Sequence, residues 1–126
     1  MSFIYDAGVL VAAERDDRKL WAEHRVRLEL GLNPVITAPV VSQVSRSPRQ
    51  ASLHRFLRGC ELVPFAVEEA VAVGALLARS GTSDVVDAQF AITASRVGGV
   101  LVTGDDSDTA VLASHVESSF SIVPLN

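Results

Sequence analysis

Six aspartates carry the chemistry open to this sequence. Asp6 ends the apolar run Phe3-Ile4-Tyr5. Asp84 and Asp87 precede an Ala-rich stretch, and Asp105, Asp106 and Asp108 follow Val100-Leu101-Val102-Thr103. In open α/β sheets functional groups gather beyond the carboxyl ends of the strands. Asp6 and Asp105 both follow strand-like runs, so residues from opposite ends of the chain can meet at one sheet edge. A spacing of three puts Asp84 and Asp87 on one face of a helix. If that helix starts at the same edge, four or five carboxylates converge on one pocket. Such convergence is unfavourable without a cation, because neighbouring like charges raise each other's pKa. Oxygen ligands of this kind suit Mg²⁺ or Mn²⁺. A metal pair about 3.5–4 Å apart can activate a water and stabilise the leaving oxygen in phosphodiester cleavage. His24, His54 and His115 have no metal-ligand spacing, and this chemistry asks nothing of them.

Each acid also has a local reading. Asp84 as N-cap with Asp87 at N3 is an aspartate version of a capping box. Asp105, Asp106 and Asp108 can serve as turn and cap residues. Asp6 is harder to place that way, since a carboxylate ending a buried strand needs a charged partner, a metal or backbone N–H groups.

The elements that must position these acids alternate along the chain. Phe3-Ile4-Tyr5 reads as a buried strand and 7–13 as a helix. Asp16-Asp17 caps a second helix carrying Leu20, Trp21 and Leu28, stopped by Gly31. Val35-Ile36 is either a short strand or an extended lead-in to a helix that begins at Thr37 or Ala38, with Pro39 in its first turn. Ser47-Pro48 breaks that helix. Another spans 49–58, with Leu53, Phe56 and Leu57 on one side. A strand over 61–65 and a helix over 67–79 follow, the helix with acids at its start. Further helices are expected over 84–96 and 107–115, and strands over 100–103 and 120–125. The pattern implies one α/β domain spanning 1–126, with a mostly parallel central sheet of four to five strands flanked by helices.

Composition narrows the setting. A chain of 126 residues, 48% of them hydrophobic, has the size and apolar content of one folded domain. No run of apolar residues is long enough to span a membrane, and the first residues lead straight into a strand, so neither a span nor a cleaved leader is expected. Cys60 is the single cysteine, which excludes an internal disulfide framework and a cysteine-based zinc cluster and points to a reducing, cytoplasmic compartment. The net charge of −4 argues against general nucleic-acid binding. The charge is segregated, however. Between Glu29 and Glu61 there is no acid, while Arg46, Arg49, Arg55 and Arg58 fall there.

The ordered set of acids resembles the PIN domains, and within them the VapC-type toxins of bacterial toxin–antitoxin pairs. The resemblance covers essentially the whole chain. Phe3-Ile4-Tyr5-Asp6-Ala7 is similar to the family's opening strand and first metal-binding acid. Asp84-Val-Val-Asp-Ala-Gln-Phe-Ala-Ile-Thr-Ala94 is similar to its acidic, Ala-rich helix, with Asp87 matching the family acid. Val102-Thr103-Gly104-Asp105-Asp106-Ser107-Asp108 is similar to its Thr-x-Asp turn, with Asp105 as the usual acid and Asp108 its companion. The resemblance implies an endoribonuclease using Mg²⁺ or Mn²⁺. Asp6, Asp87 and Asp105 would be the metal ligands, with Asp108 beside them and Asp84 as a supporting acid. It also implies a homodimer held inactive by a cognate antitoxin. One position departs from the family pattern: the register Ala38-Pro-Val-Val-Ser-Gln43 puts Gln43 where a glutamate is usual. Gln43 keeps an oxygen ligand and loses a charge. Its alternative role is that of a helix-surface residue.

Arg46 lies three residues after Gln43, and Arg46 and Arg49 are candidates for binding RNA phosphates, which arginine forks match bidentately. The alternative for the cluster is a solvated cationic face. A receiver-type phosphoacceptor domain is excluded by the single acid at Asp6 and by the absence of any lysine beyond Lys19. An aspartate-nucleophile phosphatase is excluded by Gly8, which stands where its second acid would be. The remaining rival is a PIN-like module that has lost catalysis, with Gln43 as its motive, and serves only to bind a partner.

Overall fold

Strands of three or four residues are too short to stand alone, and the central ones here are held by neighbours on both sides. The computed structural model describes residues 2–81, 84–97, 100–103 and 121–124. Strand β1 (Phe3–Tyr5) pairs in parallel with β2 (Val35–Thr37) and with β4 (Val100–Thr103). The edge strands β3 (Glu61–Val63) and β5 (Ser121–Pro124) complete a five-stranded sheet of order β3-β2-β1-β4-β5, every pair parallel. Parallel neighbours require crossover connections, and the helices that make them cover both faces. This is the α/β architecture expected from the alternation of elements.

Side-chain alternation along β1 and β2 divides the core. Tyr5 and Ile36 point to one face, where they meet Val9, Leu10 and Ala13 of α1 (Ala7–Glu14), Leu20 of α2 (Arg18–Glu29), Val40 of α3 (Ala38–Val44) and Leu53 and Phe56 of α4 (Ala51–Leu57). Ile4 and Val35 point to the other face, against Phe90 and Ala94 of α6 (Val85–Val97). Helix α5 (Ala70–Ser80), entered through a 3-10 turn at Val67–Glu69, packs Val73 and Leu76 on Ala88 and Ala91 of α6. The result is a three-layer sandwich with the sheet in the middle.

Local signals account for most helix ends. The Asp17 carboxylate accepts from Leu20 N at 3.0 Å and starts α2. Gly31 and Gly81, with φ of 77° and 71°, close the helices before them. Asp16 is a non-glycine residue at positive φ (57°), a conformation that aspartate tolerates better than most residues. It is fastened there from across the chain. Its carboxylate accepts from Ser52 Oγ at 2.8 Å and pairs with Arg55 at 3.7 Å. Beside it, Glu14 Oε2 accepts from Leu53 N at 3.0 Å, so an acid of α1 satisfies an early N–H of α4 that Gln50 leaves uncapped. Gly59 lets α2 come close, because a Cβ there would sit 2.8 Å from Leu28 Cδ1.

Several boundaries differ from expectation. Helix α4 begins at Ala51 rather than 49, because Gln50 folds back: its Oε1 accepts from Arg46 N and Ser47 N, and its Nε2 donates to Val44 O. Strand β3 stops at Val63, before Pro64, which has no N–H for a ladder. The expected helix over 107–115 lies outside the described residues. Among the described residues no helix is long and apolar enough to cross a membrane.

Phe56 is fully buried and stacks on Tyr5 and His24. Phe56→Ala should lower the unfolding free energy by about 3–5 kcal/mol in urea titrations. Ser52→Ala, which removes one exposed hydrogen bond to Asp16, should cost less than about 1 kcal/mol. Equal losses would contradict this assignment of the core.

Candidate functional site

The parallel register sets the site's frame. Ile4 lies beside Val35, and Tyr5 beside Val102. Carried forward, Asp6 lies between Thr37, the last residue of β2, and Thr103, the last residue of β4. All three strands therefore end together, with Asp6 in the middle. Asp6 keeps extended backbone angles (φ −92°, ψ −177°) and is 9% exposed. One of its carboxylate oxygens accepts from Val9 N at 3.1 Å, so the residue that ends β1 also caps α1.

Helix α6 runs back toward the start of β4, so its first turn lies at the same edge. Phe90 seats that helix on Ile4 and Val35, and Asp87 stands one turn nearer the strand ends, half-buried. Asp84 is exposed and caps the helix: its Oδ1 accepts from Asp87 N at 3.0 Å and its backbone O accepts from Ala88 N at 3.1 Å. The capping role foreseen for Asp84 is thus present, and it leaves Asp87 on the inner side of the turn. Asp105, Asp106 and Asp108 lie outside the described residues; Asp105 is two positions past the end of β4. Among the described residues no three histidine, cysteine or acidic side chains group closely enough to hold a metal ion. The described part of the edge therefore holds the Asp6 carboxylate, with half-buried Asp87 in the first turn of α6, and the remaining expected ligand, Asp105, lies outside the described residues. All of these donors are oxygens, the set that suits a hard divalent cation.

A third polar group at this edge was not anticipated from sequence. Thr37 Oγ1 is fully buried and has no hydrogen-bond partner. As the N-cap of α3, its hydroxyl could accept from a backbone N–H of the first turn, and it does not. Leaving a buried hydroxyl unmatched costs roughly 1–3 kcal/mol. Two other described side-chain oxygens share the condition. Glu69 Oε2 is ion-paired with Arg96 at 3.1 Å, and Gln89 Oε1 belongs to an amide that donates to Thr93 Oγ1. Thr37 alone among the three stands at the strand ends.

Gln43 lies exposed in the last turn of α3, about 7.5 Å along the helix from its first residue. Arg46 is exposed, and its Nη1 donates to Ser45 O at 2.9 Å and Ser42 O at 3.5 Å, carbonyls at the end of α3. Arg49 is exposed in the same Gln50-clasped loop. Arg55 is committed to structure, paired with Asp16 and lying 4.7 Å from the Trp21 ring centroid. Ser42 Oγ bonds Ala38 O, a local backbone bond.

Behind Asp6, on the opposite sheet face, Tyr5 is held by two residues of α2. Arg27 Nη1 donates to Tyr5 Oη at 2.9 Å, leaving the phenol to donate to His24 Nδ1 at 3.0 Å. The guanidinium also lies 4.5 Å from the Phe3 ring centroid. No spacing rule flags His24, because its partner is 19 residues away. Cys60 is a partly buried packing residue against the α1–α4 side of the core. Burial pushes its thiol up to about 12, and the group donates to Phe56 O.

No protein-family model matches the chain, and no curated protein matches it by sequence. Solved structures do match. A chain of VapBC2 from Rickettsia felis, crystallised bound to a DNA fragment from their promoter, aligns over 100% of both chains with a TM-score of 0.70 and 16% identity. PAE2754 from Pyrobaculum aerophilum aligns over 98% of this chain and 90% of that one, with a TM-score of 0.62 and 16% identity. The PIN-like α/β fold expected from the sequence is the fold of this chain.

His24 leaves a pH signature. Burial, reinforced by the Arg27 charge, lowers its pKa from 6.5 to about 4. The folded state therefore binds fewer protons than the unfolded state between those values. Stability is complete above pH 6.5 and is lost as pH falls toward 4. At about 1.4 kcal/mol per pH unit, the loss approaches about 3 kcal/mol. Urea midpoints measured from pH 7 to 5 should fall for the wild type and flatten for His24→Gln; parallel slopes would contradict a buried neutral imidazole.

Proposed function

We propose that this chain is a metal-dependent endoribonuclease toxin of a toxin–antitoxin pair, acting in the cytoplasm. Asp6, Asp87 and Asp105 would hold Mg²⁺ or Mn²⁺, with Asp108 and Asp84 as outer support. The reading rests first on the position of Asp6. It is a nearly buried carboxylate at the middle of three strand ends, beside the strand that leads into Asp105. The likeness to a chain of a VapBC complex supports the toxin–antitoxin setting. When bound, the cation supplies Lewis acidity at the phosphodiester and a more acidic water. The chain's own residues do the rest. Asp6 is oriented by its bond to Val9 N, Asp87 is carried by the turn that Asp84 caps, and Arg46 and Arg49 offer cationic forks to RNA phosphates.

A cognate antitoxin is the proposed inhibitor and a second copy of the chain the proposed oligomeric partner. The α5 side supports self-association: Val67 is 86% exposed and Val71, one turn on, is 83% exposed, with exposed Gly74, Ala75 and Ala78 continuing the stripe. The competing reading, a partner-binding module without catalysis, draws on Gln43, an uncharged and exposed residue where the family carries an acid.

RNA cleavage separates the two. Wild type should cleave with Mg²⁺ or Mn²⁺ and stop in EDTA. Asp6→Asn should fall by at least about 10²-fold while remaining folded, because asparagine caps helices as well as aspartate. Full activity in that variant would reject the carboxylate site, and a wild type that cleaves nothing yet binds an antitoxin would favour the binding module. For the oligomer, Val71→Asp should shift the light-scattering mass from dimer to monomer; an unchanged mass would remove α5 from the interface.

A further inference from the structure

The β1–β2 register, Ile4 beside Val35, places Thr37, whose hydroxyl is unmatched, beside Asp6. Along β2, Val35 packs toward α6 and Ile36 toward α1, so Thr37 returns to the α6 face. Along β1, Ile4 packs toward α6 and Tyr5 away from it, so Asp6 follows at the position that alternates back toward α6, with one carboxylate oxygen held at the sheet edge by Val9 N of α1. Both residues have extended backbone (Thr37 φ −80°, ψ 144°), which preserves that alternation. Neighbouring strands are about 4.8 Å apart, so side chains side by side on one face are within reach of each other. Thr37 Oγ1 has no partner although it is 0% exposed, and it declines the local cap that an N-cap threonine usually makes.

We propose that Thr37 is a positioning residue for the carboxylate site: its hydroxyl donates to the Asp6 carboxylate when that carboxylate takes a divalent cation. The inference rests on the cation-site reading above. Its physical basis is a difference between two states. A hydrogen bond already made without the cation contributes to affinity only by holding the carboxylate in place beforehand. A buried donor left unmatched beforehand and satisfied afterwards contributes to affinity in full. Outer hydrogen bonds of this kind orient ligand carboxylates, and their loss weakens metal binding by about 10–100-fold. Valine has nearly the shape of threonine without the hydroxyl, and serine keeps the hydroxyl without the methyl.

The test uses the full chain and Mn²⁺ alone, read by electron paramagnetic resonance, together with thermal melting without metal. Thr37→Val should melt at or above the wild-type temperature in EDTA, since it removes an unmatched polar group, and should weaken Mn²⁺ binding about tenfold. Thr37→Ser should restore the affinity. Wild-type Mn²⁺ affinity in Thr37→Val would overturn the proposal. So would a lowered melting temperature in EDTA, which would mean the hydroxyl already has a partner within the fold. Asp6→Asn separates this outcome from failure of the site itself: its loss of Mn²⁺ binding beside an unaffected Thr37→Val rejects Thr37 and keeps the site. A wild type that binds no Mn²⁺ rejects both.

Discussion

Parallel pairing of β1 with β2 on one side and β4 on the other is the constraint from which the rest follows. In a parallel pair the strands point the same way, so their carboxyl ends lie at one edge and every connection must return over a face. That requirement forces the helices onto both sides of the sheet. It also brings Asp6, Thr37 and the end of β4 together although they are separated by most of the chain. Helix α6 feeds β4 directly and so must run antiparallel to it, which delivers Asp87 to the same edge. The candidate site is thus a consequence of topology before it is a consequence of any individual contact.

Asp6 joins the two levels. Its backbone finishes β1 and its side chain begins α1, so the strand end and the helix start are fixed relative to one another by a single residue. Tyr5, one position earlier, is locked on the reverse face by Arg27 and His24 and stacked on Phe56. A carboxylate anchored this way loses little freedom on taking a ligand, which is the condition for a preorganised site. Glu14 at the end of α1 and Asp16 just beyond it hold the start of α4.

What was legible in the sequence was what is encoded locally. The cap at Asp17, the stop at Gly31, the break at Ser47-Pro48 and the apolar run of β4 each rest on residues within a turn of one another. The order of the acids points to the PIN-like fold, and the apolar run before Asp6 places that residue at the end of a strand, where it follows β1. What was not legible depends on partners far along the chain. Val35-Ile36 read as a strand or a lead-in because two apolar residues do not decide the matter; pairing with β1 and β3 does. The start of α4 moved because Gln50 bonds backward to Arg46, Ser47 and Val44. His24 gave no signal because Tyr5 and Phe56 supply its environment. Thr37 was visible as a helix start, but its unmatched hydroxyl emerges only once β2 is laid beside β1.

The most direct measurement is a crystal structure of the full chain soaked in Mn²⁺, with the ion located by its anomalous scattering. An ion is expected at the carboxyl edge of the sheet, with carboxylate oxygens of Asp6 and Asp87 within ligand distance. An ion bound elsewhere at saturating Mn²⁺, or an edge without one, would contradict this expectation.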